Sequence, residues 1–398
     1  MAALEVINSA YLAILGVTSA RFLVHTGVLA LPIPKRNWKR APITGKILIQ
    51  YPIRNEPSRI VDRFIQSLET IPEEHRKHFT LQILDDYDES TPLAGYVTPC
   101  IDYVYIKRKI RTGNKAGNMN NGLSLAGPEF KYALVFDSDH QVDGTKLIQA
   151  AEIIAGNKDV VCVQSRWDFA NIENTALSIV QETILGLHID REQTWKSAHN
   201  VYPIFNGAGG IWDLDYVKTK FGGWLTRSVC EDTDLSGEVN MAGKRIVVLP
   251  TWTTKVDLVE TWDALGKQQR RWIKGNGQQL RYHLPVKSVN PLKKLHWISW
   301  NLGFAVAPSK YIIPAFILVK YILGMQFSTF EYLCALPHLL AWIATAQTWD
   351  NKINTRRWWM YPTQFVLELR FLHLQIQGFW QGFYGFKKQF VFDVTEKK

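Results

Sequence analysis

The chain has 398 residues, 46 basic against 36 acidic side chains, a formal net charge of +10, and four cysteines. That length allows a large core and more than one structural unit. The positive charge is scattered rather than striped, and no RNA-recognition, zinc-finger or helix-turn-helix pattern accompanies it, which argues against a nucleic-acid partner. Cys100, Cys162, Cys230 and Cys334 show no CxxC or metal spacing and read as reduced, partly buried small residues.

In chain order, residues 4–31 form an apolar stretch interrupted by Arg21 and His25. It is too long for a signal-peptide core and lacks a small-residue cleavage site, so a transmembrane helix is predicted over 1–33. The alternative is an amphipathic helix lying in the interface, because ionisable residues are costly at mid-bilayer. The basic clusters Lys35-Arg36-Asn37-Trp38-Lys39-Arg40 and Asn354-Thr355-Arg356-Arg357-Trp358-Trp359 abut apolar segments and carry Trp. Positive loops and interfacial Trp of this kind mark a cytoplasmic membrane boundary.

Strands are then predicted at Lys46–Pro52, Thr80–Asp85, Tyr103–Ile106, Lys131–Asp137 and Val160–Gln164. Helices are predicted at Ser58–Thr70, Lys115–Leu125 and between the last two strands. This alternation predicts an α/β domain over 44–284 with a mostly parallel sheet covered on both faces. A long polar-faced helix from Glu173 to about Ser197 leads into Phe205-Asn206-Gly207-Ala208-Gly209-Gly210. Beyond residue 284, Asn301–Leu323 and Phe327–Thr348 are long enough to span a bilayer, while Tyr361–Phe386, with Glu368, Arg370 and His373, reads as interfacial. The expectation is a multi-pass protein in contact with membrane lipid, its α/β domain facing the cytosol at the plasma membrane or Golgi.

The chemistry concentrates at predicted strand ends. Asp137-Ser138-Asp139 follows the apolar run Tyr132-Ala133-Leu134-Val135-Phe136. Two carboxylates two residues apart at the C-terminal edge of a strand offer hard oxygen ligands suited to Mg²⁺ or Mn²⁺ bridging to phosphates. Asp85-Asp86 ends the second strand, where a carboxylate accepts hydrogen bonds from a base or ribose. Lys115 opens a helix after Gly113-Asn114, a position that suits a diphosphate. Glu231-Asp232 supplies a separate carboxylate able to take a proton from a sugar hydroxyl. Gln268-Gln269-Arg270-Arg271-Trp272 adds an Arg for a leaving phosphate and a Trp face for a sugar ring. Singly, each has a plainer reading: Asp85-Asp86 as a turn cap, Gly207–Gly210 as a turn, Trp272 as an interface anchor, and Asp234 as a first-turn acid favoured by the helix dipole. No role is assigned to His188 or His199.

The ordered set resembles the membrane-embedded family-2 glycosyltransferases of the cellulose synthase superfamily. Gln164-Ser165-Arg166-Trp167-Asp168-Phe169-Ala170-Asn171, Phe205-Asn206-Gly207-Ala208-Gly209-Gly210-Ile211-Trp212 and Gly222-Gly223-Trp224 resemble the cellulose-synthase-like branch that makes mannan or glucan backbones, over about residues 46–280. The resemblance implies a GT-A (Rossmann-like) fold and inverting transfer of a hexose from UDP-glucose or GDP-mannose to a growing β-linked polysaccharide, with Mg²⁺ or Mn²⁺ as cofactor. It implies that Asp85 and Asp86 contact the nucleoside, that Lys115 lies near the nucleotide, and that Asp137 and Asp139 hold the metal. It makes Asp232 the general base and puts Gly207, Glu231 and Gln268 against substrate, Arg271 on the diphosphate and Trp272 under the acceptor sugar. The tail Phe392-Asp393-Val394-Thr395-Glu396-Lys397 resembles the family's gating loop, in which Thr395 and Lys397 would touch the diphosphate.

Two departures stand out. Arg54 occupies a position where the family often has an aromatic residue stacking on the base. Three spans are also few for a translocation pore, which leaves a chain that continues further, a homo-oligomer, or transfer without export of a polymer. A ceramide glucosyltransferase-like enzyme with a lipid-linked acceptor is therefore an alternative. A basic membrane-surface binding protein is the non-enzyme alternative, and it would release no nucleoside diphosphate.

Overall fold

The computed structural model describes residues 2–86, 96–305, 309–337 and 360–385, together with residue 340. Seven strands form one sheet: β1 (Lys46–Ile53), β2 (Phe79–Asp85), β3 (Asp102–Lys107), β4 (Phe130–Val135), β5 (Val160–Phe169), β6 (Gly210–Asp213) and β7 (Arg245–Val256). Their order is β3-β2-β1-β4-β6-β5-β7. The pairs β1–β2, β1–β4, β2–β3 and β5–β7 are parallel, and β6 is inserted antiparallel between β4 and β5. β1, β2 and β4 are buried on both faces because helices cover both sides. One side packs around Ile49, Phe64, Phe136 and Val163, the other around Leu48, Met119, Trp212 and Val239.

Helix α1 (Ala2–Ala30) precedes the sheet, and α2 (Ser58–Ser67) follows β1. α3 (Asn114–Ser124) runs from β3 to β4 and α4 (Leu147–Gly156) from β4 to β5. The expected mostly parallel α/β layout is present. The helix expected over Glu173–Ser197 is not continuous: α5 (Ala176–Gly186) passes into a π-helical turn, Leu187–Gln193, and then α6 (Thr194–His199). The wider turn lets Glu192 meet both His188, at 2.9 Å, and Lys196, at 2.7 Å. α7 (Leu214–Phe221), α8 (Glu231–Met241) and α9 (Trp262–His283) complete the domain. α10 (Pro291–Ala305), α11 (Ser309–Ile322) and α12 (Met360–Tyr384) follow, and α12 packs on α9.

The spans expected at 1–33 and 301–323 are not found. Among the described residues no helix is long and apolar enough to cross a membrane. α1 is long but diluted by Glu5, Asn8, Ser9, Arg21 and His25, and the described residues of the predicted 301–323 span fall in α10 and α11, the latter of 14 residues. Part of the third predicted span (338–339 and 341–348), and the tail carrying Thr395 and Lys397, lie outside the described residues.

A chain of buried amides anchors α3 to the sheet. Gln50 and Gln82 pair in register on β1 and β2. Gln50 Nε2 donates to Gln82 Oε1 at 3.2 Å and to the Met119 carbonyl at 2.9 Å, and Gln82 Nε2 donates to the Gly122 carbonyl at 2.9 Å. Trp224 Nε1 donates to Gln50 Oε1 at 2.8 Å. This fixes the helix that begins with Lys115.

Candidate active site

The parallel strands end at one edge, and the loops leaving them line a cavity of about 1210 Å³. Arg54 and Glu56 follow β1, Asp86 follows β2, and Asp137, Ser138 and Asp139 follow β4. The opposite wall is α8 and α9, which contribute Glu231, Asp232, Gln268, Arg271 and Trp272. Residues 268, 271 and 272 fall on one helical face through their i, i+3, i+4 spacing. α9 is set by Thr261, whose hydroxyl accepts from the Ala264 amide at 3.3 Å.

The β4 loop is held rigidly from beneath. Tyr51 donates its hydroxyl to the Ser138 carbonyl at 2.8 Å, and Ser138 Oγ donates to Glu56 Oε1 at 2.9 Å. Asp139 is buried, with His140 Nδ1 at 3.3 Å from its Oδ1. Gly113, at φ +70°, turns the chain into α3 and presents Lys115 in its first turn. The Lys115 ammonium lies 2.6 Å from Asp137 Oδ1, 2.7 Å from the Gly207 carbonyl and 3.4 Å from Glu231 Oε1. Burial works against its charge, but Asp137 and Glu231 more than offset this and hold it protonated well above the ordinary lysine range.

Asp232 opens α8 beside Lys115. Burial first, and then the Glu231 carboxylate, push its carboxyl from 3.8 up to about 7, against the pull of Lys115 and Arg271. A carboxylate poised near neutrality is matched to accepting a proton. Gly207, at φ +92°, passes so close that a Cβ there would stand 2.9 Å from Asp232 Oδ2. That close approach, not only a turn, requires glycine.

Ten of the residues singled out in the sequence therefore meet in one cleft: Asp86, Lys115, Asp137, Asp139, Gly207, Glu231, Asp232, Gln268, Arg271 and Trp272. Asp85 does not line it; this side chain is buried and accepts a hydrogen bond from the Tyr105 hydroxyl. One participant escaped the sequence reading. Arg108 grips Asp86 with two nitrogens, Nη2 at 2.7 Å from Oδ2, and also donates to the carbonyls of Thr112 and Asn114 at 2.6 and 2.9 Å. Its only signal was the basic run Lys107-Arg108-Lys109-Ile110-Arg111.

A divalent cation fits this donor set. Among the described residues no group of three or more His, Cys, Asp or Glu forms a ready metal cage. Asp137 and Asp139 offer two hard carboxylates, the number Mg²⁺ and Mn²⁺ commonly take when substrate phosphates complete the shell. The Lys115 ammonium among three oxygens shows that the position accommodates positive charge.

The apolar side chains of Ile184, Leu185, Ile189, Leu258 and Trp300 also line this cavity.

Comparison with known proteins places this geometry. The family described as "Glycosyl transferase family group 2" matches residues 132–380, more than half of the chain, and "Glycosyl transferase family 2" matches residues 50–205. The chain is similar to "Probable glucomannan 4-beta-mannosyltransferase 1" of Arabidopsis thaliana, 27% identical over 298 residues, which is 73% of this chain and 51% of that protein. It thus spans about half the length of this curated relative. It is also similar in fold to the solved mannosyltransferase PcManGT from Pyrobaculum calidifontis in complex with GDP-Man and Mn2+, with a TM-score of 0.56, 15% identity, and coverage of 86% of this chain and 100% of that one. The expected GT-A-like fold is shared, and the chain belongs to glycosyl transferase family group 2.

Proposed function

We propose that this protein transfers a hexose, with inversion, from a nucleotide diphosphate sugar to a hydroxyl of a β-linked mannan or glucan. The observation that carries the reading is the convergence of Lys115, Asp137, Asp232 and Arg271 on one cavity. The similarity to a glucomannan mannosyltransferase and to a fold neighbour holding GDP-Man favours GDP-mannose over UDP-glucose as donor.

In this reaction the acceptor oxygen bonds to the sugar C1 as the bond from C1 to the diphosphate oxygen breaks. The acceptor proton passes to Asp232, whose raised carboxyl range suits it for the task. The electron pair leaves with the diphosphate, where Lys115 and Arg271 supply positive charge. Asp137 and Asp139 would hold Mg²⁺ or Mn²⁺, which when bound adds further charge neutralisation there. Asp86, set by Arg108, is the nucleoside contact; Gln268 and Trp272 flank the acceptor. Thr395 and Lys397 are proposed to close over the diphosphate.

Residues 44–284 act in this scheme as the catalytic domain, with 1–33 and 285–398 as its membrane-associating parts. The support is the exposed apolar surface of α1 (Val6, Ile14, Val17, Leu23) and of the segment around α11 (Leu318, Val319, Tyr321, Ile322, Leu323). The basic clusters favour a cytosol-facing domain.

The apolar lining residues Ile184, Leu185, Ile189 and Leu258 support a second reading, transfer of a single sugar to a lipid-linked acceptor. Incubating the protein with labelled GDP-mannose and UDP-glucose in turn, with Mn²⁺, and sizing the product separates the two. A polymer supports the first reading and one added sugar the second. Absence of metal-dependent nucleoside diphosphate release from any donor overturns both.

A further inference from the structure

Two residues beyond Asp232, Asp234 is fully buried and does not line the cavity. Its Oδ2 accepts from Arg227 Nε at 2.9 Å, and its Oδ1 accepts from Arg227 Nη2 at 2.8 Å and from His283 Nε2 at 2.6 Å. Burial alone would raise its carboxyl range, but the hydrogen bonds from His283 and Arg227 bring it below the ordinary value and keep it ionised. These partners come from different places: Arg227 from the loop before α8, His283 from the last turn of α9, where it is buried and stacked on Trp297 of α10 at 5.7 Å. Arg227 also donates to Glu238 on α8 at 2.7 Å.

The surrounding chain is shaped for this contact. Gly237, in the middle of α8, faces the imidazole, and a Cβ there would lie 2.0 Å from His283 Cε1 and 2.2 Å from Nδ1. A glycine inside a helix costs stability relative to alanine, so its presence answers a packing demand. Gln278 of α9 adds a parallel tie, accepting from Ser228 Oγ at 3.1 Å and from the Val229 amide at 3.0 Å. The helix that begins with Glu231 and Asp232 is thereby locked to the helix that carries Gln268, Arg271 and Trp272.

We propose that Asp234, clamped between Arg227 and His283, is a positioning residue that sets the first turn of α8 against α9 and so fixes Asp232 relative to Arg271. The inference rests on Asp232 being the proton acceptor. A buried carboxylate held between the guanidinium of Arg227 and the imidazole Nε2 of His283 has one arrangement, and the base two residues away inherits it.

The test compares Asp234→Asn, Gly237→Ala and Arg227→Lys with the parent, reading kcat, donor KM and nucleotide affinity by calorimetry. Arg227 is partly exposed, and its lysine variant keeps the charge while losing the two-pronged contact, so it folds even where the buried changes do not. Displacement of a reacting group by about 1 Å costs up to about a hundredfold. Each folded variant is therefore expected to lose kcat by between about tenfold and about a hundredfold, with donor KM and nucleotide affinity within about twofold of the parent. In an Asp232→Asn background, Asp234→Asn is expected to cause no further loss, because residues acting as a unit are non-additive. A parent-like kcat in Arg227→Lys, a loss expressed in donor KM, or additivity with Asp232→Asn overturns the proposal. If the parent itself releases no nucleoside diphosphate, it is the functional reading that has failed.

Discussion

The ammonium of Lys115 stands 2.6 Å from Oδ1 of Asp137, a carboxylate assigned above to a divalent cation. A divalent cation held by Asp137 and Asp139, as proposed, would compete with this ammonium for one oxygen. Lys115→Met is expected to raise Mn²⁺ affinity in the absence of nucleotide by roughly tenfold, the scale of removing a like charge at close range in a partly solvated site. Donor turnover falls in the same variant, since the diphosphate loses a cation. Electron paramagnetic resonance titration of free Mn²⁺ reads the first effect, and an unchanged affinity would remove the competition argument.

Asp232→Asn is expected to lower transfer by about a hundredfold to ten-thousandfold, the range for loss of a positioned proton acceptor, while nucleotide binding survives. An Asn variant that transfers sugar at the parent rate rules out the assignment.

The same side chain gives a pH signature. Its carboxyl titrates near 7 in the fold against an ordinary 3.8, so the folded chain holds this proton more tightly than the unfolded chain. The associated stability is fully present below the ordinary value and is lost as pH rises through about 7. Asp232→Asn should therefore melt close to the parent at pH 4 and above it at pH 8. For activity the sign is opposite: parent kcat/KM falls as pH drops below about 7.

Gly207→Ala combines an unfavourable φ of +92° with a Cβ 2.9 Å from Asp232 Oδ2. Destabilisation of about 1–2 kcal/mol is expected from the backbone term. Turnover falls at least about tenfold as the carboxylate is displaced. Thermal melts and initial rates measured together check both; a fully active variant contradicts the close approach.

Removing Arg108 leaves a buried carboxylate without its charge partner. Arg108→Ala is expected to destabilise by about 3–5 kcal/mol, with part of the loss recovered by adding Asp86→Asn. Chemical denaturation of the two variants decides whether this pair is structural in the way its side-chain exposures of 5% and 10% indicate.

Much of the cleft was legible because its carboxylates sit where strands end. Asp86, Asp137 and Asp139 follow short apolar runs, and period and burial together give such runs away. The set Gln268, Arg271 and Trp272 stands out by residue type and by the family resemblance, and it is α9 that puts the three on one face. What escaped depends on contacts distant in the chain. His283 and Asp234 are 49 residues apart, and nothing local distinguishes this histidine from a solvated one. β6 has four residues and looks like the tail of a glycine turn until it is seen pairing with β4 and β5. The π-helical turn at Leu187–Gln193 carries no sequence mark, so a single helix was the natural expectation. The spans expected at 1–33 and 301–323 rested on runs of large apolar residues near Trp, and among the described residues no helix is long and apolar enough to cross a membrane.

The amide ladder of Gln50, Gln82 and Trp224 bears on how the chain finds its native pairing. Hydrocarbon side chains tolerate a mispaired neighbour; a carboxamide without a partner in a dry interior does not. If β1 slid by one residue along β2, Gln50 would be carried to the other face of the sheet and its three hydrogen bonds would be lost together. A slipped register between these strands is therefore penalised by buried amides and not by the apolar core alone.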